Sequence, residues 1–234
     1  MRENNERGFI RMTALLAILA ALLAVGNIVL GFAAVGFTSP PDTFSNVSSA
    51  LPIDGIDAGL LRWSTICDLF GYYLLLGPLA LVLSHRFEQT RPYLMQLSTH
   101  CALGYILVGA IAAAILASNA PALIESYAQA SSVDRAAIKV AYDSVNNTLN
   151  GLWNTLGVFL GGVWWLTVGN AIRAQRPVLG ILSIVLGIAA WLDAAGTILI
   201  IPAIFAIGLV GVLLLIPIWT FSCGIDLLRH PEHY

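Results

Sequence analysis

Charge is what this sequence has least of. Only 10% of its 234 residues are Asp, Glu, Lys or Arg, against about a quarter in ordinary soluble proteins. By contrast, 58% of the residues are apolar and the mean hydropathy is +0.83. These values predict a polytopic membrane protein whose first partner is the lipid bilayer. The single lysine, Lys139, and a formal net charge of −2 provide no basic surface, so we expect no nucleic-acid partner.

Cysteine and catalytic motifs are equally scarce. Cys67, Cys101 and Cys223 lie singly in apolar segments, without the paired spacing of a metal or redox site. The chain contains no GxSxG, HExxH or phosphate-binding loop. His100 is a histidine inside an apolar segment, but a bis-histidine haem would need a second one at depth. We therefore expect no metal and no cofactor, and no motif in the sequence indicates enzymatic activity.

Six apolar segments are each long enough to span a bilayer, which requires about 20 residues. They cover approximately residues 10–37, 62–84, 93–118, 149–172, 178–200 and 203–228. Pro202 suits the first turn of a helix, so the last two segments are expected to separate at a hairpin near Thr197 to Pro202. The predicted fold is all-α, a single membrane domain over residues 1–234 built as an antiparallel bundle of six transmembrane helices.

Loop charges predict the orientation of this bundle. With the N-terminus inside, eight Arg or Lys residues fall on the cytoplasmic side and three on the outer side. The excess of positive charge marks the cytoplasmic side, so both termini are expected there. The outer side then holds a loop over residues 38–61 and an amphipathic segment over residues 121–148, which together predict an outer helical cap.

The second outer segment carries its own start signal. Ser131 followed by Asp134 resembles a helix N-cap with an acidic first turn. A helix that starts there meets no proline before Pro177. It is therefore expected either to run on through the membrane as one rod or to bend at Gly151.

Polar side chains in or next to the apolar segments are the candidate functional residues. An aspartate at the centre of a span costs about 2.5 to 3.5 kcal/mol, so Asp68 and Asp193 require an explanation. One hypothesis is a ligand-binding pocket that opens to the outer side. The alternative is that these groups hydrogen-bond between helices, as polar residues in membrane bundles commonly do. The full candidate set is Asn27, Ser64, Asp68, Tyr72, Asn150, Asn154 and Asp193.

Two further patterns favour structural roles. Gly157 and Gly161 form a GxxxG that lets another helix approach closely. Asp226, Arg229 and His230, at the end of the last segment, are typical of a cytoplasmic boundary cluster.

Three runs of the sequence carry a family resemblance. They are NTLNGLWNTLGVFLGGVWWLTVGNAIR in the fourth segment, RPVLGILSIVLGIAAWLDAAGTIL in the fifth and IPIWTFSCGIDLL at the end of the sixth. Together with six helices in this length, they resemble a bacterial family of six-helix integral membrane proteins classed only as a domain of unknown function. The resemblance implies a six-helix topology and a bacterial inner-membrane location, and it supplies no activity and no site residues.

Three functions follow as hypotheses. The first is a non-enzymatic protein whose outward-facing pocket binds a lipid or other small amphiphile. The second is a structural or accessory subunit of a larger membrane complex, with a membrane protein or a second copy of the chain as its partner. The third is a small proton-coupled transporter that uses Asp68 or Asp193. A cavity shared by both aspartates favours the first and third, whereas polar groups used only in helix contacts favour the second.

Overall fold

The computed structural model describes residues 2–36, 53–88 and 92–230, and within these ranges it is helical without strands. The helices are α1 (Arg2–Ala34), α2 (Ala58–Asp68), α3 (Gly77–Glu88), α4 (Pro92–Gln129), α5 (Ser132–Gly151), α6 (Val158–Ile172), α7 (Pro177–Leu199) and α8 (Pro202–Arg229). A π-helical turn, Leu69–Tyr73, and a 3-10 turn, Leu74–Leu76, join α2 to α3. A second π-helical turn, Leu152–Gly157, joins α5 to α6.

Six helical runs in this part of the chain are long and apolar enough to cross a membrane. They are α1, α2 with α3, α4, α5 with α6, α7 and α8. The prediction of an all-helical chain with six spans is therefore confirmed for the described residues. Most of the predicted 38–61 loop lies outside them.

Two predicted boundaries are wrong. Helix α4 continues through Pro121 to Gln129, whereas the third segment was expected to end at residue 118. The predicted cap segment 121–148 is accordingly divided at residues 130 and 131. A proline removes one backbone hydrogen bond from a helix, but Ala120 and Ile124 beside it are buried, so tertiary packing holds the helix together.

The start of α5 agrees with the sequence. The Ser131 hydroxyl accepts a hydrogen bond from the Asp134 backbone N–H at 3.4 Å and donates to the Asp134 carboxylate at 2.7 Å. The helical path then continues without a gap from residue 132 to residue 172. Gly151 has ordinary helical angles, φ −61° and ψ −38°, so the departure from α-geometry comes only in the π turn that follows it.

Glycine contacts show that neighbouring spans run antiparallel. On α7 and α8, Gly196 lies against the backbone of Phe205, and Gly208 lies against the backbone of Asp193. Residue numbers thus rise along one helix as they fall along the other. The chain reverses between them at Ile200, whose left-handed φ of 56° allows α7 to end one residue earlier and α8 to begin at Pro202. The predicted hairpin is confirmed.

Both described ends of the chain lie at one end of the bundle. Gly224, near the end of α8, packs against Ala14 near the start of α1. Close to this end, the Arg176 guanidinium donates to the Asp226 carboxylate at 3.2 Å and so links the start of α7 to the end of α8. We call this the terminal end. The opposite end, where α1 finishes, α2 begins and α7 turns into α8, is the distal end.

A glycine-to-alanine pair tests the close packing of α7 on α8. In Gly196→Ala the new Cβ would lie 2.2 Å from the Phe205 backbone nitrogen, so the two helices must separate. Overpacking of this kind costs about 1 to 3 kcal/mol, and we expect a clearly lower thermal unfolding temperature in detergent.

Gly151→Ala is the matched control, since an added Cβ there meets nothing within 4 Å and the residue is exposed and helical. Its unfolding temperature should be unchanged or higher. Equal destabilisation by both substitutions would show that α7 and α8 are not packed this closely.

Candidate functional site

A cavity of about 360 Å³ lies between the spans in the distal half of the bundle. Its wall is mainly apolar and comes from α1, α2, α4, α6, α7, α8 and both π turns. Six of the seven predicted site residues line it: Asn27, Ser64, Asp68, Tyr72, Asn154 and Asp193. These six residues come from four separate spans of the sequence and are thus brought to one place.

Asn27 and Ser64 use their polar groups on each other. The Asn27 side-chain amide donates to the Ser64 carbonyl at 3.1 Å and to the Ser64 hydroxyl at 3.0 Å. The Ser64 hydroxyl in turn donates to the Asn27 carbonyl at 3.0 Å. Gly31, whose Cβ position would lie 3.3 Å from this hydroxyl, leaves room for the pair. These two residues therefore join α1 to α2 at the cavity wall.

Tyr72 compensates for a proline on another helix. Pro217 lies inside α8 and has no N–H, so the carbonyl of Leu213 four residues earlier loses its usual partner. The Tyr72 hydroxyl donates to this carbonyl at 2.8 Å. The π turn that contains Tyr72 is consequently fixed to α8 across the cavity, and this hydroxyl also has a structural role.

Asn150 is not among the described residues that line the cavity, so its predicted place in the pocket is wrong. It lies one turn before Asn154, and its side-chain oxygen accepts a short hydrogen bond from the Asn154 amide nitrogen. Trp153, which precedes Asn154 on the π turn, donates its indole N–H to the Gly109 carbonyl at 3.3 Å. Asn150 thus supports the cavity wall through Asn154 without lining it.

Asp193 is the most isolated polar group at the site. It is 0% exposed, and neither carboxyl oxygen has a hydrogen-bond partner in the described part of the chain. The Thr197 hydroxyl lies nearby, one turn along α7, but it too makes no hydrogen bond of ordinary geometry. Gly208 brings α8 against the Asp193 backbone, and Asp193 is one of the residues that line the cavity.

Asp68 lies on the same cavity as a half-buried residue. Tyr73 lines the same cavity as both aspartates. None of the described residues that line the cavity is Lys, Arg or His. No group of three or more potential metal ligands occurs among the described residues. The described lining is thus acidic, without a cationic side chain to balance it.

An aromatic wall completes the site, and few features of the sequence indicate it. Tyr73, Tyr105 and Trp153 line the cavity beside the predicted residues. Tyr73 fits against Gly109 so closely that a Cβ there would lie 1.9 Å from the ring. The ring centroid of Tyr105 lies 5.2 Å from that of Tyr73 and 5.0 Å from that of the buried Trp165. The YY and WW pairs in otherwise aliphatic segments were the available signal, but such pairs are also typical of plain core packing.

Both π turns of the described chain border this cavity. Tyr72 and Tyr73 both line the cavity from the first turn. Trp153 and Asn154 do the same from the second turn. Single π turns are rare and occur often at functional sites. The irregular segments thus place four of the aromatic and polar side chains at the site.

A double-mutant cycle tests the role of Tyr72. Tyr72→Phe removes the donor to the Leu213 carbonyl, and a buried carbonyl without a partner costs about 1 to 3 kcal/mol. In a Pro217→Ala background the new backbone N–H reaches the same carbonyl, so Tyr72→Phe should cost clearly less there. The free energy of unfolding in detergent measures both steps. An identical cost in both backgrounds would contradict the assignment.

Comparison of the chain with protein families, with curated proteins and with solved structures finds no match.

Proposed function

We propose that this protein binds a lipid or other small amphiphile in its distal cavity and does so without catalysing a reaction. The observation that carries the proposal is the cavity itself, which combines a volume of about 360 Å³ and a mainly apolar wall with a few fixed polar groups. Pockets for small ligands have this composition and begin at about 300 Å³.

The use of polar groups separates this proposal from a purely structural role. A packing subunit is expected to use its buried polar side chains in contacts between helices. Asn27, Ser64 and Tyr72 are used in that way, and Asn154 binds its own helix. Asp193 is not used, although burying a carboxyl group without a partner is costly. Such a group is better explained by a partner that comes from outside the chain.

The side of the membrane to which the cavity opens is part of the same proposal. Arg62, Arg135 and Lys139 belong to the distal side of the helices, and seven Arg residues of the described ranges belong to the terminal side. By the excess of positive charge inside, both termini are cytoplasmic and the cavity lies in the outer half of the membrane. The family resemblance supports a bacterial inner membrane as the location.

A proton-coupled transporter is the second candidate. It is favoured by the π and 3-10 turns that interrupt the second span beside two cavity carboxyl groups, because transporters place interrupted helices at their binding sites. In proteoliposomes, transport predicts that an imposed pH gradient drives uptake of a bound amphiphile. Binding without uptake leaves the protein as a binder.

A cavity-filling substitution tests the binding proposal. Val212 is buried on the cavity wall, so Val212→Trp places an indole in the space that the ligand needs. Val210 lies two residues away on α8 and is 40% exposed on the outside, so Val210→Trp is the matched control. We expect native mass spectrometry of the purified protein to show bound amphiphile in the wild type and in Val210→Trp, and a loss of about tenfold in Val212→Trp.

Two results would contradict the proposal. One is equal retention by Val210→Trp and Val212→Trp, which would place any bound lipid on the outer surface of the bundle. The other is that the folded wild-type protein retains no amphiphile and binds none that is added, at any amphiphile concentration below the onset of unfolding.

A further inference from the structure

The charge balance of the cavity limits what can occupy it. Asp68 and Asp193 both line the wall, and Asp193 is fully buried with two unpaired oxygens. No Lys, Arg or His is among the described residues that line the cavity. Burying a carboxylate is costly unless it is paired or hydrogen-bonded, and the Thr197 hydroxyl one turn along α7 makes no hydrogen bond of ordinary geometry with Asp193. A partner from outside the chain that carries a positive charge or hydrogen-bond donors would stabilise the ionised carboxyl group.

We propose that the ligand is an amphiphile with a cationic ammonium head group, which lies between Asp68 and Asp193 while its hydrocarbon part contacts the apolar wall. This inference rests on the proposed binding function and names the class of ligand. A hydrated inorganic cation would not use the apolar wall, and a neutral lipid would leave the Asp193 carboxyl group unpaired.

The aromatic wall favours the same class. Tyr73, Tyr105 and Trp153 all line the cavity that Asp68 and Asp193 line. The face of an aromatic ring attracts a cation within about 6 Å by about 0.5 to 2 kcal/mol, and carboxylates combined with aromatic faces recognise alkylated ammonium groups. An anionic head group would be repelled by both carboxylates and would meet no Arg or Lys on the wall.

The absence of a cation from the wall also separates two sources of ammonium. Zwitterionic phospholipids carry an ammonium group next to a phosphate, and proteins hold phosphate with Arg, Lys or several backbone N–H groups. The cavity offers two carboxylates in the position where a phosphate would need donors. A cationic amphiphile without a phosphate therefore fits better than a phospholipid head group.

Three probes with the same hydrocarbon chain test this inference on the purified protein in uncharged maltoside micelles. They are decyltrimethylammonium, decylphosphocholine and decyl sulfate, and titration calorimetry with empty micelles subtracted measures each affinity. We expect decyltrimethylammonium to bind at least about tenfold more tightly than the other two. Asp193→Asn and Asp68→Asn should each weaken this binding by about tenfold or more, since each removes a charge-assisted contact.

Asp143→Asn is the matched control, because Asp143 pairs with Lys139 at 2.7 Å on α5 and does not line the cavity. Its affinity for decyltrimethylammonium should equal that of the wild type. If an aspartate variant fails to fold, the order of the three probes on the wild type still decides the matter.

The outcomes distinguish the two proposals. Equal affinity for all three probes, or a cation preference that persists in Asp68→Asn and Asp193→Asn, would overturn the cationic head group and leave amphiphile binding intact. Preference for decylphosphocholine would overturn it in favour of a phospholipid. Failure of Val212→Trp to reduce the binding of any probe would remove the cavity as the binding site and with it the proposed function.

Discussion

A polar group buried in apolar surroundings needs a partner, and most of this bundle is arranged to provide one. Helical hydrogen bonds satisfy the backbone along each span. Where Pro217 interrupts this pattern, the Tyr72 hydroxyl donates to the carbonyl that is left free. Where α1 and α2 each place a polar side chain inside, Asn27 and Ser64 bind each other. Against this background, Asp193 is the only carboxyl group among the described residues whose buried oxygens lack a partner, although several buried hydroxyl and indole groups lack one too.

Close backbone packing surrounds Asp193. Glycines at the α7 and α8 contact bring the Asp193 backbone against Gly208, at the level of the cavity. Tyr73 packs against Gly109 and lines the same cavity. Both π turns contribute residues to this wall. Rigid packing and local irregularity together make the site.

Much of this arrangement could be predicted from the sequence because the membrane imposes simple rules. Apolar length predicted the six spans, and the cost of burying polar groups selected Asp68 and Asp193, which do line one cavity. The rest depends on tertiary contacts. The third segment was expected to end at residue 118, but buried neighbours of Pro121 allow α4 to continue to Gln129. In the sequence, Tyr73 and Tyr105 resemble ordinary core residues, and only the packing around the π turn and Gly109 shows that they line the cavity. Asn150 lies four residues before Asn154 and was predicted together with it, but it lies one turn behind the cavity wall.

The central claim is that Asp68 and Asp193 face one shared, accessible space. Paired cysteines at these positions, in a chain whose three native cysteines are replaced by alanine, test it directly with bifunctional thiol reagents of graded length and peptide mass spectrometry. The account predicts that Asp68→Cys and Asp193→Cys become cross-linked by a reagent of suitable length, whereas Asp68→Cys and Leu214→Cys do not, because Leu214 is exposed on the outside of α8. Cross-linking of the control pair alone, or of neither pair at any length, would contradict it.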